Sequence, residues 1–249
     1  MAAALLGEDV RLAGGAAGDD LHMKETHVGL GGAAATDAVV IGLIYSKAPL
    51  GVGVCHGHQP LSKSLKATRA EGGVVHEIDG QPAWKVWQEE TRASAARRGV
   101  DNSTLKPDEV TPFLLRYEAG LSTGSELKIR APLSRSEDGS LTFACGIPQG
   151  SVFRITESEP QRQIDSAREA ARRALAQTGG HPVAGAVVFD CICRNLILGD
   201  QFKTAVQSIA SELGGVPLAG FETYGEIALD AGDMSGFHNT TTVVLTFPK

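Results

Sequence analysis

Apolar residues recur along this chain in short blocks set off by Gly, Pro and charged residues, and the blocks follow two spacings. The first, Ala38–Tyr45 (AVVIGLIY), is a nearly continuous run rich in β-branched residues, which predicts a strand buried on both faces. Pro49 and Gly51 end it, and Val52–Cys55 begins a second short strand. Leu65–Ala70 and Val74–Ile78 alternate apolar and polar around Gly72-Gly73 and predict a hairpin. Asp79-Gly80 is a turn, after which Pro82 opens a helix to about Arg98 whose apolar positions (Ala83, Trp84, Val86, Trp87) lie in its first half. Asp101 to Glu118 is polar and Pro-punctuated, the pattern of a linker or domain boundary. Strands are predicted at Glu126–Ala131, Leu141–Cys145 and Ser151–Thr156. Ser158 caps a helix with Pro160 in its first turn and Ile164, Ala167, Ala171 and Leu175 as its apolar stripe. Val183–Cys191 is another continuous strand. Asp200 caps a helix with Phe202, Ala205, Val206, Ile209 and Leu213 facing inward. Leu218–Phe221, a short piece around Ile227 and Thr240–Phe247 complete the strands.

These elements predict an α/β fold, with α+β as the variant, in which two sheet-containing halves of similar build pack around a cleft. The internal similarity behind the two halves is thin. Leu12-Ala13-Gly14 precedes Val39-Val40 much as Leu218-Ala219-Gly220 precedes Val243-Val244. A strand and a helix stand before the second copy, but only ten residues stand before the first. The first half is therefore expected to be incomplete, with residues 1–100 its remnant and junction and 101–249 the complete half. A homo-oligomer formed through the N-terminal half would be one way to complete it.

Composition narrows the function classes. At 249 residues the chain can bury about 70% of its unfolded surface, enough for a core without staples. The net charge of −6 with no basic tail argues against a nucleic-acid partner, and no apolar run is long enough for a membrane span. Cys55, Cys145, Cys191 and Cys193 form no disulfide framework and fit a cytoplasmic protein with reduced thiols; the N-terminus lacks the marks of a signal peptide.

Several motifs fail on inspection. Gly29-x-Gly31-x-x-Ala34 imitates a dinucleotide fingerprint, but a strand is predicted after it and no acid lies between Asp37 and Glu71 to hold a ribose. Cys55-His56-Gly57-His58 has metal-ligand residue types, yet an extended segment points alternate side chains to opposite faces, so no metal site is expected. No cofactor is implied. Trp84 and Trp87 at helical spacing are core residues before they are a ligand cage.

Three polar clusters in the C-terminal third survive. VVFDCICR (187–194) places Cys191 and Arg194 at the carboxyl edge of a buried strand, where α/β ligand sites lie. GFETYGEI (220–227) brackets Tyr224 and Glu226 with glycines. GFHNT (236–240) places His238 and Asn239 before the final strand. Singly, each has an ordinary structural explanation: a small core thiol, a solvated strand end, turn chemistry. Together they carry a resemblance. A strand ending in Cys-x-x-Arg, then PxxGFxTYGEI, then FHN before a terminal strand resembles the C-terminal half of the FIST domain over Ala184 to Phe247. LAGGAAGD, AVVIGLIY, the GHQP turn and LKATRAEGGVVHEIDGQPA look like the tail of its N-terminal half and the junction. Glu222 and Cys193 depart from the pattern.

The resemblance implies an intracellular sensory module of signal transduction that binds a small ligand, an amino acid among the candidates, and passes its output to a signalling partner protein. It implies no catalytic reaction. Position by position, it assigns Cys191, Arg194, Tyr224, Gly225, Glu226, His238 and Asn239 to the ligand. In that reading Arg194 takes a ligand carboxylate and Glu226 an ammonium, while Tyr224, His238 and Asn239 fix orientation. The alternative is a cysteine-dependent enzyme with Cys191 as nucleophile, its thiolate favoured by Arg194 and His238 acting as acid/base.

Overall fold

The computed structural model describes residues 10–124, 126–229 and 236–249. The strands are β1 (Leu12–Gly15), β2 (Val28–Leu30), β3 (Ala33–Ala35), β4 (Gly51–His56), β5 (His58–Pro60), β6 (Leu65–Glu71), β7 (Val74–Ile78), β8 (Gln81–Pro82) and β9 (Ala119–Thr123). They continue with β10 (Glu126–Arg130), β11 (Pro132–Arg135), β12 (Leu141–Phe143), β13 (Val152–Ser158), β14 (Val183–Cys191), β15 (Leu218–Thr223), β16 (Glu226–Leu229), β17 (Gly236–His238) and β18 (Thr241–Pro248). The helices are α1 (Ala83–Arg97), α2 (Pro107–Arg116), α3 (Pro160–Ala176), α4 (Ile192–Leu198) and α5 (Phe202–Glu212). The fold is α/β, as the hydrophobic pattern predicts.

Two sheet systems carry it. An antiparallel sheet runs β10-β9-β13-β6-β7-β12-β11, with β5 added to β13 and β8 to β7. Its core joins Leu65, Val75, Ile78, Phe153 and Ile155 of the strands to Trp84 and Trp87 of α1 and Val110, Phe113 and Leu114 of α2. Trp87 stacks on Phe153 with ring centroids 6.2 Å apart, meets Phe143 edge-on, and donates its indole N–H to the Tyr117 carbonyl (3.2 Å). The buried face of α1 extends past its apolar half because Thr91, Ser94 and Ala95 are small enough to go inside. Thr91 satisfies its hydroxyl on the Trp87 carbonyl, and Ser94 on Glu157.

The second system is a mixed sheet, β15-β14-β18-β4, with β14 parallel to β15 and antiparallel to β18. Alternation along β18 serves two cores at once. Val244 joins α3 and α5 on one face, while Val243 joins Val52, Val54 and Ala228 on the other. The GVGV of β4 works the same way. Val52 and Val54 fill the second core, while a Cβ at Gly51 or Gly53 would stand 1.9 Å from the Ala174 or Ala170 carbonyl oxygen. Glycine there, with the alanine stripe of α3, lets helix and strand backbones meet. The second face is covered by the small sheet β1-β16-β17.

Three expectations need correction. Ala38–Tyr45 is not a buried strand: the segment has no regular element and its large side chains are exposed. Val39-Val40 accordingly has no strand to match that of Val243-Val244. Asp101 to Glu118 is not a linker, since α2 lies within it. Pro107 occupies the first helical position, where no N–H is needed, and Glu109 closes a capping box on the Lys106 N–H (2.8 Å), so the proline starts a helix instead of breaking one. Arg194 does not lie at a solvated strand end, because the chain turns from β14 directly into α4.

Candidate functional site

The polar clusters converge where the two sheet systems meet. Residues 220–227 form β15, a bend and β16. Gly225 permits the bend because a Cβ there would stand 2.1 Å from the Phe237 ring. β16 is the middle strand of the small sheet, and its Glu226 lies opposite Gly15 of β1 on one side and His238 of β17 on the other. Glu226 is fully buried. Its Oε1 accepts the Thr223 hydroxyl (2.5 Å), and its Oε2 accepts both the N–H (3.1 Å) and the hydroxyl (2.8 Å) of Thr241. Burial outweighs these donors and pushes its carboxyl up to about 7.

A second buried carboxyl comes from a region the motif did not cover. Glu118, between α2 and β9, accepts the Thr240 hydroxyl on Oε1 (2.8 Å), and its Oε2 faces His58 Nε2 at 3.6 Å. Thr156 donates its hydroxyl to the Glu118 carbonyl (2.8 Å) and lies 3.1 Å from His58 Nδ1, which fits a neutral imidazole protonated on Nδ1. Burial raises the Glu118 carboxyl well above its usual range and holds His58 well below its own. Burial likewise lowers neighbouring His56 to about 4, and that ring is engaged with the Leu127 carbonyl (2.9 Å). His56 and His58 thus turn to separate partners. Among the described residues no group of three or more His, Cys, Asp or Glu side chains is arranged to hold a metal ion.

The third buried carboxyl, Asp190, accepts Arg194 Nε at 2.6 Å and the Thr242 hydroxyl at 3.2 Å. Arg194 is itself fully buried. It also donates to the Gln163 side-chain oxygen, to Ser166 Oγ (3.0 Å) and to the Gln163 carbonyl (2.9 Å). Its guanidinium therefore ties α3 to β14 and α4, and the site holds more buried acid than buried base. Among the described residues the buried charge-bearing side chains, imidazoles aside, are Glu118, Asp190, Glu226 and Arg194.

Cys191 ends β14 and is the residue preceding the first turn of α4. Its thiol is buried beside Cys193, and the Cys193 contact, burial and the nearby Glu226 all raise it well above its usual range. Asn239 accepts the Ala131 N–H (3.4 Å), and its amide donates to the His238 carbonyl (3.0 Å). Cys191, Arg194, Glu226, His238 and Asn239 are all at most 1% exposed. Tyr224 sits further out. Its hydroxyl donates to Asp19 Oδ1 (2.6 Å) and accepts the Leu21 N–H (2.6 Å), clasping the loop after β1. That bond, with the N–H groups of Lys24, Met23 and Glu25, holds the Asp19 carboxyl well below the usual range.

Sequence reasoning missed Glu118, His58 and Arg130. Arg130, on β10, reaches the Phe237 carbonyl (3.3 Å) beside His238, and its Nε is buried without a hydrogen-bond partner. Glu118 carried a faint signal, a lone acid directly before an apolar stretch. His58 stood in the Cys-His-Gly-His segment, whose residue types suggest only a metal motif, and nothing local marked Arg130. An open groove lined by Arg92, Ala96, Gly99, Val100, Asp101 and Asn102 shares no residue with this cluster.

Comparison with known proteins bears on the same residues. The FIST N domain matches residues 1–81 and the FIST C domain residues 83–229, which include β14 to β16. The chain belongs to the FIST family. FIST domains are sensory domains of signal transduction. The N-terminal half is present as a FIST N segment, against the expectation of a truncated remnant. The LAG turn of that segment is carried into the C-terminal one, because β1 pairs antiparallel with β16. Relatives of this FIST chain include an uncharacterized protein of Methanocaldococcus jannaschii, 25% identical over 80% of this chain and 39% of its own length. Another is an uncharacterized protein of Mycobacterium tuberculosis, 27% identical over 78% of this chain and 50% of its own length. The chain thus spans two-fifths to half of the curated relatives it matches. No solved structure matches it. Among the described residues no helix is long and apolar enough to cross a membrane.

Proposed function

We propose that this FIST chain is a sensory module that holds a small ligand bearing an ammonium group, an amino acid among them, at the Glu226–Glu118 cluster. One observation carries the reading: three carboxyls are buried against a single guanidinium that is already spent on Asp190 and Gln163. A cation placed between Glu226 and Glu118 would offset the desolvation that raises both carboxyls. Arg194 is the wrong partner for a ligand carboxylate, since its donors are turned to protein. Arg130, with a buried unpaired Nε, is the better one. In this reading Tyr224, on the outer side of the cluster, and the buried Gly225, His238 and Asn239 would contact the ligand. Ligand entry requires β1 and the Asp19–Tyr224 clasp to move aside, and that displacement is what a signalling partner would read. The four free thiols suit a reducing, cytoplasmic setting.

The cysteine-nucleophile alternative is disfavoured, because a buried thiol held protonated by its neighbours is a poor nucleophile. The test is thermal stability in the presence of amino acids, primary amines and simple carboxylic acids. A ligand at about one hundred times its Kd stabilises by about 2.7 kcal/mol, which raises Tm by roughly 5–10 °C in a chain of this size. Stabilisation by amines or amino acids that is lost in Glu226→Gln supports the proposal. No stabilisation by any amine or amino acid at millimolar concentration overturns it.

A further inference from the structure

One feature of the surface is independent of the ligand reading. Residues 38–45 form an irregular segment whose backbone, among the described residues, pairs with no other strand. Val39, Ile41, Leu43 and Tyr45 are 83%, 70%, 75% and 91% exposed, and Val40 and Ile44 are exposed as well. A β-branched apolar run that, among the described residues, joins no sheet is a template for strand pairing.

The sequence of the segment selects its occupant. We propose that it pairs antiparallel with the same segment of a second copy, about a two-fold axis at Gly42. In that register Ile41 lies opposite Leu43, Val40 opposite Ile44, and Val39 opposite Tyr45 of the other copy. Every large apolar side chain meets another. At both ends Asp37, which stands at φ +47° in a bend of the single copy, would straighten to lie opposite Lys47, the two being the only charged residues between positions 36 and 48. The symmetry makes each contact twice, closing the pair without leaving a sticky end. Moving the axis to residue 41 sets Asp37 against Tyr45, and moving it to residue 43 sets Lys47 against Val39. Charge and apolar matching therefore choose the same centre. Gly42, with no side chain, lets the strands approach at the axis.

Light scattering on a size-exclusion column and sedimentation velocity with the whole chain, at micromolar to 100 micromolar concentration, test this. The expected result is a dimer. Ile41→Lys should shift it to monomer with an unchanged circular dichroism spectrum, since the side chain is exposed in the protomer. Asp37→Lys and Lys47→Asp should each weaken the dimer at least several-fold at low salt, and the double exchange should restore it. A wild-type monomer at 100 micromolar overturns the proposal, as do open-ended oligomers. A dimer insensitive to Ile41→Lys places the interface elsewhere. A dimer that needs Ile41 but ignores both charge reversals refutes the two-fold register.

Discussion

Replacing Glu226 by Gln isolates the free energy stored in one buried carboxyl. Burial lifts its pKa from the ordinary 4.5 to about 7. Between these values the folded protein keeps a proton that the unfolded chain has released. Stability therefore falls as pH rises from about 4.5, and the loss is complete above about 7, where it amounts to about 3 kcal/mol. Glutamine is neutral throughout and carries no such slope. Its carbonyl can keep the Thr241 N–H and hydroxyl, while its NH2 group donates to the Thr223 oxygen, whose hydrogen turns to the Asp190 carbonyl 3.3 Å away. The cost of that exchange is independent of pH, so the informative quantity is how the difference between the two proteins changes with pH. Urea unfolding followed by circular dichroism at about pH 5 and about pH 8.5 should show Glu226→Gln gaining roughly 2–3 kcal/mol on the wild type between them. His58, held well below its usual value, contributes the opposite slope: stability rises with pH through the unfolded value near 6.5. That contribution is common to both proteins and cancels. Parallel pH profiles for wild type and variant would refute a buried, proton-holding Glu226.

Two further predictions follow from the same cluster. Arg194→Met strands Asp190 in the interior without its guanidinium, so it should cost about 3–5 kcal/mol in denaturant titrations, with much of that regained when Asp190→Asn is added; a loss under 0.5 kcal/mol would mean that Arg194 is not a structural tie. Cys191 should resist iodoacetamide at neutral pH in the folded protein while the half-buried Cys55 and Cys145 label first, read by peptide mass spectrometry; preferential labelling of Cys191 would revive the nucleophile reading.

The chain's own pattern determined much of the framework. Continuous apolar runs located β14 and β18, period-3.6 stripes located α3 and α5, and Gly72-Gly73 marked the β6–β7 hairpin, because each of these signals lies within a dozen residues. Motif spacing pointed to the family and assigned Cys191, Arg194 and Glu226 to one small-ligand site. Tertiary structure decided what those residues do. Arg194 looked like a ligand donor until Gln163 and Ser166, some thirty residues away, took its N–H groups. Glu118 and Arg130 joined the cluster only through Thr240 and the Phe237 carbonyl, more than a hundred residues away, and His58 through Glu118. Ala38–Tyr45 marks the limit most sharply. Its composition asks for burial, but composition cannot say which surface provides it, and among the described residues of a single copy the sheets form without it. A local pattern specifies which face must leave water; the partner for that face is settled by whichever segments, of this copy or another, come to lie against it.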